Sequence, residues 1–238
     1  MLLRLPSSVS ELQKCLAEGA VPIGGATLVW ASFQREGFPE LAVSLRELPE
    51  ANEIGAETLG SAVLLSQVDD RVPDVLRRAA AGVGTGAVRR SATVGGNIVG
   101  STLRCLLPAA LVLDARATVL EADDVYETDL ADLLAKRHVL LSLRWRTPVA
   151  SGYHKQDVPA GGPPPLVVAA AVHAEADGSR RLRVAVRDGY DVLTHSTACD
   201  TDTDNVLHTL ERTDLAALPS DAQDVIRRQI TEVLSAAA

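Results

Sequence analysis

Apolar residues recur at helical spacing at Val9, Leu12 and Leu16, behind a Ser8/Glu11 capping box and ahead of Gly19, so residues 8 to 18 read as a helix. A strand over Val21 to Ile23, a helix over Leu28 to Arg35 ending at Gly37, and a strand over Leu41 to Leu45 follow. With a first strand at Leu3 to Leu5, this alternation predicts an α/β unit on a parallel sheet. Further on, Pro73 to Gly82 reads as a helix with proline in its first turn, and a glycine-rich stretch runs from there through Gly100. The pattern then predicts a short helix over Pro108 to Leu113, a strand over Ala117 to Leu120, a helix over Asp129 to Ala135 and a strand over Val139 to Trp145.

Residues 151 to 165, with Gly161-Gly162-Pro163-Pro164-Pro165, read as a linker. Beyond them Leu166 to His173, Arg181 to Val186 and Val192 to Ser196 alternate as strands, separated by Asp177-Gly178 and Asp188-Gly189, which are strong hairpin signals. Helices near Asn205 to Arg212 and Ser220 to Leu234 follow, the second with Ser220 and Gln223 at capping-box spacing. The chain thus reads as α+β, with residues 1–150 as one domain (subdomains about 1–50 and 51–150) and residues 151–238 as a second built on a three-stranded antiparallel meander with helices.

Composition narrows the classes. The 238 residues are 47% hydrophobic and 23% charged with a net charge of −8, which describes a folded, soluble, acidic protein. An acidic balance with 3% aromatic residues argues against a nucleic-acid partner. No apolar run reaches membrane-helix length and the N-terminal segment is interrupted too early for a secretory signal, so the expected location is the cytoplasm, with no membrane partner. Among 23 basic residues only Lys14, Lys136 and Lys155 are lysines, a bias of GC-rich bacterial genomes. Cys15, Cys105 and Cys199 are odd in number and far apart, so no disulfide framework, metal site or iron–sulfur cluster is expected from them.

Two glycine pairs carry the candidate chemistry. Val21-Pro22-Ile23-Gly24-Gly25-Ala26-Thr27-Leu28 runs a strand through paired glycines into a helix start. Such a turn lets backbone approach a ligand and presents unpaired amides to an anion such as a pyrophosphate, though a ligand-free β–α turn reads the same residues. Ser91-Ala92-Thr93-Val94-Gly95-Gly96-Asn97-Ile98-Val99-Gly100-Ser101 is a second pair, rich in hydroxyl and amide groups. Two such loops in one domain suit the two ends of a single phosphorylated cofactor. Gly82-Val83-Gly84-Thr85-Gly86 follows a helix and lacks the full dinucleotide spacing. Asp200, Asp202, Asp204 and Glu211 have calcium-loop spacing without its glycine, and Asp204 reads more simply as an N-cap. The five histidines show no metal-ligand spacing.

The loops, their order and their surroundings resemble the FAD-binding (medium) subunit or domain of molybdenum hydroxylases, the flavoprotein family of carbon monoxide dehydrogenase and xanthine dehydrogenase, over nearly the whole chain. Ile23-Gly24-Gly25-Ala26-Thr27-Leu28 resembles the family's Ala-Gly-Gly loop, and Thr93-Val94-Gly95-Gly96-Asn97 its Thr-Ile-Gly-Gly-Asn loop. Ile54-Gly55-Ala56 resembles an Ile-Gly-Ala strand between them, and Pro108 to Ala115 a Leu-Asp-Ala helix. The resemblance implies a PCMH-type FAD-binding domain of two α/β subdomains and FAD as cofactor. Both loops would hold the pyrophosphate through amides, with Thr93, Asn97 and Ser101 adding side-chain hydrogen bonds. It further implies Leu140 lining the flavin and Lys155 beside the isoalloxazine. Cys105 stands near the place of an aspartate that contacts the flavin's sugar-like chain, and residues 156–165 replace an arginine that usually follows the lysine. The implied activity is that of an oxidoreductase component that takes electrons from iron–sulfur clusters on partner subunits of a molybdopterin enzyme and passes them through FAD to NAD or another acceptor. The implied assembly holds iron–sulfur and molybdopterin subunits, and a homodimer is a further expectation. A standalone FAD-dependent oxidase or monooxygenase, and a flavin-free structural subunit, are the alternatives this sequence leaves open.

Overall fold

In a computed structural model the described residues are 1–159, 162–199 and 202–238. In chain order the strands are β1 (Leu2–Arg4), β2 (Val21–Pro22), β3 (Leu41–Val43), β4 (Ile54–Gly55), β5 (Thr58–Gly60), β6 (Arg116–Glu121), β7 (Asp124–Thr128), β8 (Val139–Arg144), β9 (Ala150–Lys155), β10 (Val167–Ala174), β11 (Arg180–Asp188) and β12 (Asp191–Ala198). The helices are α1 (Val9–Ala17), α2 (Trp30–Glu36), α3 (Asp74–Ala81), α4 (Gly86–Arg89), α5 (Leu107–Val112), α6 (Leu130–Lys136), α7 (Thr203–Leu210) and α8 (Ser220–Ala237). Among the described residues no helix is long and apolar enough to cross a membrane.

Two compact units divide the chain. The first holds Met1–Val72, Val83–Leu106 and Ala115–Trp145, and the second Pro73–Gly82, Leu107–Asp114 and Arg146–Ala238. The pattern of the sequence places a single boundary near residue 150, whereas α3 and α5, both upstream of it, lie in the second unit. Amphipathic periodicity shows that a helix has a buried face, but not which sheet buries it.

In the first unit the predicted parallel sheet has the order β1-β3-β2, with Leu2 opposite Leu41 and Val21 opposite Ala42. Ser8 caps α1 by accepting from the Glu11 amide, while Glu11 reaches back to the Ser7 amide. A second, five-stranded sheet has the order β4-β5-β8-β6-β7. One core cluster joins Leu12 of α1 and Val43 of β3 to Leu120 of β6 and Leu141 of β8. Ile54-Gly55, read from sequence as a sheet strand, is the outer arm of a hairpin; β5 is the arm that pairs with β8. β6 matches the strand expected over Ala117 to Leu120, but β7 and the hairpin it closes have no counterpart in the sequence reading. The hairpin closes with Glu121 opposite Asp124, and Ala122 takes φ 49° at a turn position where asparagine or glycine is the usual signal.

In the second unit the meander holds four strands rather than three, in the order β12-β11-β10-β9. The extra strand, β9, lies in the segment that reads as linker because Gly152 interrupts its pattern. That glycine is required by packing: a Cβ there would lie 2.3 Å from Gln229 Nε2 and 2.7 Å from Val233 Cγ2 on α8. One sheet face, with Val168, Ala170, Val172, Leu182, Val184 and Val186, buries against Val206 of α7 and Ile226, Ile230 and Val233 of α8. The opposite face meets α3 and α5. There two basic side chains cap helix ends: Lys155 Nζ donates to the Gly82 carbonyl at 2.6 Å, and buried His173 Nε2 lies 2.8 Å from the Val112 carbonyl. Arg187, fully buried in β11, donates through Nη2 to the Pro165 carbonyl at 2.9 Å.

Several terminal assignments shift. Asp202, not Asp204, caps α7, its carboxylate accepting from the Asn205 amide at 3.0 Å, and Asp200 of the calcium-like spacing lies outside the described residues. At α8 the cap residue is Pro219, and Gln223 donates back to the Ala216 and Leu218 carbonyls instead of forming a capping box.

Replacing Gly152 with valine is expected to destabilise the protein by about 2 kcal/mol or more, measured by urea unfolding, because β9 can no longer lie under α8. Burial pushes the pKa of His173 below its ordinary 6.5. The folded state therefore favours the neutral ring; this stability is complete above about pH 6.5 and is lost as pH falls through that value toward the depressed pKa. His173→Gln is expected to remove that component, so the fall in unfolding midpoint between about pH 7 and about pH 5 is shallower in the variant.

Candidate functional site

The two glycine loops meet within the first unit. A Cβ on Gly25 would lie 1.5 Å from the Ser91 carbonyl oxygen, and one on Gly24 would lie 2.4 Å from Thr93 Oγ1. Gly25 is thus needed for one stretch of backbone to press against another, and Gly24 for the Thr93 side chain to sit against the first loop, roles that sequence spacing does not separate from close approach to a ligand. Beyond them Ala26 takes φ 55°, a left-handed conformation that is strained for a residue with a side chain.

The backbone donors of the two loops are used differently. Among the described residues, none accepts a hydrogen bond from the amides of Gly24, Gly25, Ala26, Thr27 or Leu28. Val21, Pro22, Gly24, Thr27 and Leu28 are exposed and Ile23, Gly25 and Ala26 half-buried, so the run of free donors is open to solvent. In the second loop the amides from Val94 to Asn97 are engaged. Val94 N–H bonds to Val63 O at 3.0 Å, Gly95 to Ser61 O at 2.8 Å, Gly96 to Thr93 Oγ1 at 3.1 Å and Asn97 to Thr93 O at 3.0 Å. The loop continues as a helical turn whose last five residues, Gly96–Gly100, are π-helical, a geometry often found at functional sites.

The second loop also fastens the segment that follows it. Ser101 N–H bonds back to Gly96 O at 3.1 Å, and buried Asn97 accepts from the Leu106 amide through Oδ1 at 2.9 Å. Thr93, Asn97, Ser101 and Cys105 are all buried. Leu140 is buried on β8 beside Leu141 of the α1 core, where the register between β6 and β8 shifts. These predicted residues share the first unit. Lys155 belongs to the second, with its ammonium on Gly82.

Sequence reasoning passed over Ser61 and Arg104. Ser61 Oγ and Arg104 Nε are buried, and no described residue supplies either with a hydrogen-bond partner. Ser61 lies against the second loop, where a Cβ on Gly95 would come 2.9 Å from its own Cβ. Arg104 takes φ 41° between Ser101 and Cys105. Neither stands in a glycine or hydroxyl pattern; the arginine is marked in sequence only by being the sole charged residue of 91–106. The discarded glycine run at 82–86 has a structural use, since Arg89 Nη1 holds the Val83 and Gly84 carbonyls at 3.0 and 2.9 Å. Of the histidines, His138 lies 3.1 Å from the Tyr126 hydroxyl, whose own pKa is pushed up to about 12, chiefly by its hydrogen bond to Glu121.

A strand, a strained turn with free amides and an apposed loop whose amides from Val94 to Asn97 are bonded within the chain make up the loop region of an α+β protein. The chain belongs to the family described as FAD binding domain in molybdopterin dehydrogenase, whose model matches residues 3–142. FAD is its cofactor. In overall fold the chain is similar to quinoline 2-oxidoreductase from Pseudomonas putida 86, with TM-score 0.71 and 20% identity over 99% of this chain and 97% of that one. It is similar also to the Cu,Mo-CO dehydrogenase, with TM-score 0.73 and 16% identity over 98% and 97% of the two chains. The reconstituted CO dehydrogenase from Oligotropha carboxidovorans gives TM-score 0.71 and 15% identity over 99% and 96%. No curated protein matches the chain in sequence. The residues present fit a dinucleotide: free amides stand in the first loop and orphaned buried polar atoms beside the second.

Gly25→Ala is expected to lower stability by about 1 to 3 kcal/mol in thermal unfolding and to speed amide exchange at Val94 and Gly95, because the loops can no longer touch. Gly96→Ala, whose Cβ would meet only Thr93 Oγ1 at 3.1 Å, is expected to stay within about 1 kcal/mol of the native protein.

Proposed function

We propose that this chain is the flavin-carrying component of a molybdenum hydroxylase-type assembly, taking electrons from iron–sulfur clusters on partner subunits and delivering them through FAD to NAD or another acceptor. The observation that carries this reading is the run of unpaired amides from Gly24 to Leu28, held against Ser91–Thr93 in a chain of this family. Support for partner subunits comes from the nature of the structural neighbours, which include a Cu,Mo-CO dehydrogenase.

The amides of Gly24, Gly25, Ala26, Thr27 and Leu28, reached from β2 through Val21, Pro22 and Ile23, bind the pyrophosphate of the cofactor. Val94, Gly95 and Gly96 hold the shape of the second loop, since their amides are already bonded within the chain. Thr93 sets the turn with its hydroxyl on the Gly96 amide, while Asn97, through the Nδ2 left over after Oδ1 binds Leu106, and Ser101 donate to the ligand. Cys105 places a buried thiol beside them, and Leu140 supplies apolar surface that excludes water. The assignment of Lys155 to the stabilisation of negative charge on reduced flavin rests on the resemblance to the family. FAD, when bound, supplies the exchange between one-electron and two-electron transfer.

The purified chain incubated with FAD is expected to be yellow, with a flavin spectrum and one FAD per chain after gel filtration. A colourless protein that retains no FAD overturns the reading. Anaerobic addition of NADH is expected to bleach the bound flavin by reversal of the final transfer; a flavin that stays oxidised removes NAD as the acceptor.

A further inference from the structure

We propose that Arg104 is a ligand for the diphosphate of the bound dinucleotide, the cation that the two glycine loops themselves lack. The proposal rests on the flavin reading above and names a residue for which the resemblance gives no role.

Charge comes first. An FAD pyrophosphate carries two negative charges, and free amides offer only partial positive charge in return. In residues 20–29 there is no charged side chain, and in residues 91–106 Arg104 is the only one. Arg89, a short way upstream, is committed to the Val83 and Gly84 carbonyls. Within residues 20–29 and 91–106 there is thus a single guanidinium, and Arg90, next to Ser91, is exposed whereas Arg104 is partly buried.

Geometry comes second. The bridge that carries Arg104 is fastened to the second loop at both ends, by Ser101 N–H on Gly96 O and by Leu106 N–H on Asn97 Oδ1. On this short tethered stretch Arg104 takes φ 41°, where glycine would be the unstrained residue. Strain at a non-glycine position persists when the surrounding structure enforces it, and such positions cluster at ligand sites. Buried arginine nitrogens are normally hydrogen-bonded, yet among the described residues nothing accepts from Arg104 Nε. A phosphate oxygen satisfies that donor and, with the adjacent Nη, makes the paired contact for which a guanidinium is suited. The segment's departure from the family pattern thereby acquires a chemical meaning, in which Arg104 provides attraction for phosphate one residue before Cys105, which stands near the aspartate's place.

The test measures binding, not turnover. FAD affinity is read by flavin fluorescence and ADP affinity by calorimetry, using the full-length apoprotein and its Arg104→Gln, Arg104→Gly and Arg104→Lys variants. Loss of charge-assisted hydrogen bonds to a diphosphate is expected to raise Kd for both ligands about 10- to 100-fold in the Gln and Gly variants. Arg104→Lys, which keeps the charge, is expected to lie closer to native than either. Arg104→Gly suits the left-handed backbone and is expected to melt no lower than native, which separates lost binding from lost folding. A native chain that binds FAD while both neutral variants bind it with less than about a tenfold rise in Kd overturns the role of Arg104. A native chain that binds no FAD overturns the flavin reading instead.

Discussion

The first unit is organised around a backbone-to-backbone approach that only glycine permits. Gly25 lies so close to the Ser91 carbonyl that no side chain can stand between them, and Gly24 beside it meets the side chain of Thr93. This contact joins two segments far apart in sequence and removes the freedom that a long glycine-rich loop would otherwise keep. The first loop is located by this packing and not by hydrogen bonds from its own amides, which leaves those amides free. Had the loop been held by its N–H groups, it could have been equally rigid but would have had nothing to offer an anion.

The second loop solves the complementary problem. The amides from Val94 to Asn97 are consumed by Val63, Ser61 and Thr93, so this stretch is held as a rigid wall beside the first loop. Ser61 Oγ and Arg104 Nε depart from the rule that buried polar atoms find partners, and both flank this wall. Of the described non-glycine residues with positive φ, Ala26 lies in one loop and Arg104 on the bridge after the other, while Asp114, Ala122 and Arg137 lie elsewhere in the chain.

In the second unit the constraints are those of a sheet covered on both faces. Alternation along β10 and β11 sends valines and Leu182 to α8, and the opposite face to α3 and α5. Helices packed end-on to buried surroundings leave carbonyls without partners, and Lys155 and His173, from neighbouring strands, satisfy those of Gly82 and Val112. Lys155 is therefore structurally employed whatever further part it plays.

What the amino-acid sequence determined by itself was whatever depends on local periodicity and turn chemistry. The Ser8 cap of α1, a parallel sheet in the first unit, the Asp177-Gly178 and Asp188-Gly189 hairpins and the two glycine pairs could be read directly, because caps, alternation and left-handed glycines act over a few residues. Whatever depends on a partner distant in the chain was decided only by tertiary structure. β9 hides behind Gly152 because the reason for that glycine is Gln229 and Val233 on α8, and the β6–β7 turn is hidden because Ala122 adopts a conformation that its side chain does not announce. The membership of α3 and α5 in the second unit is of the same kind, as is the division of labour between the loops. A sequence shows that an amide or a guanidinium exists, but only the folded chain determines whether another part of the molecule has already claimed it.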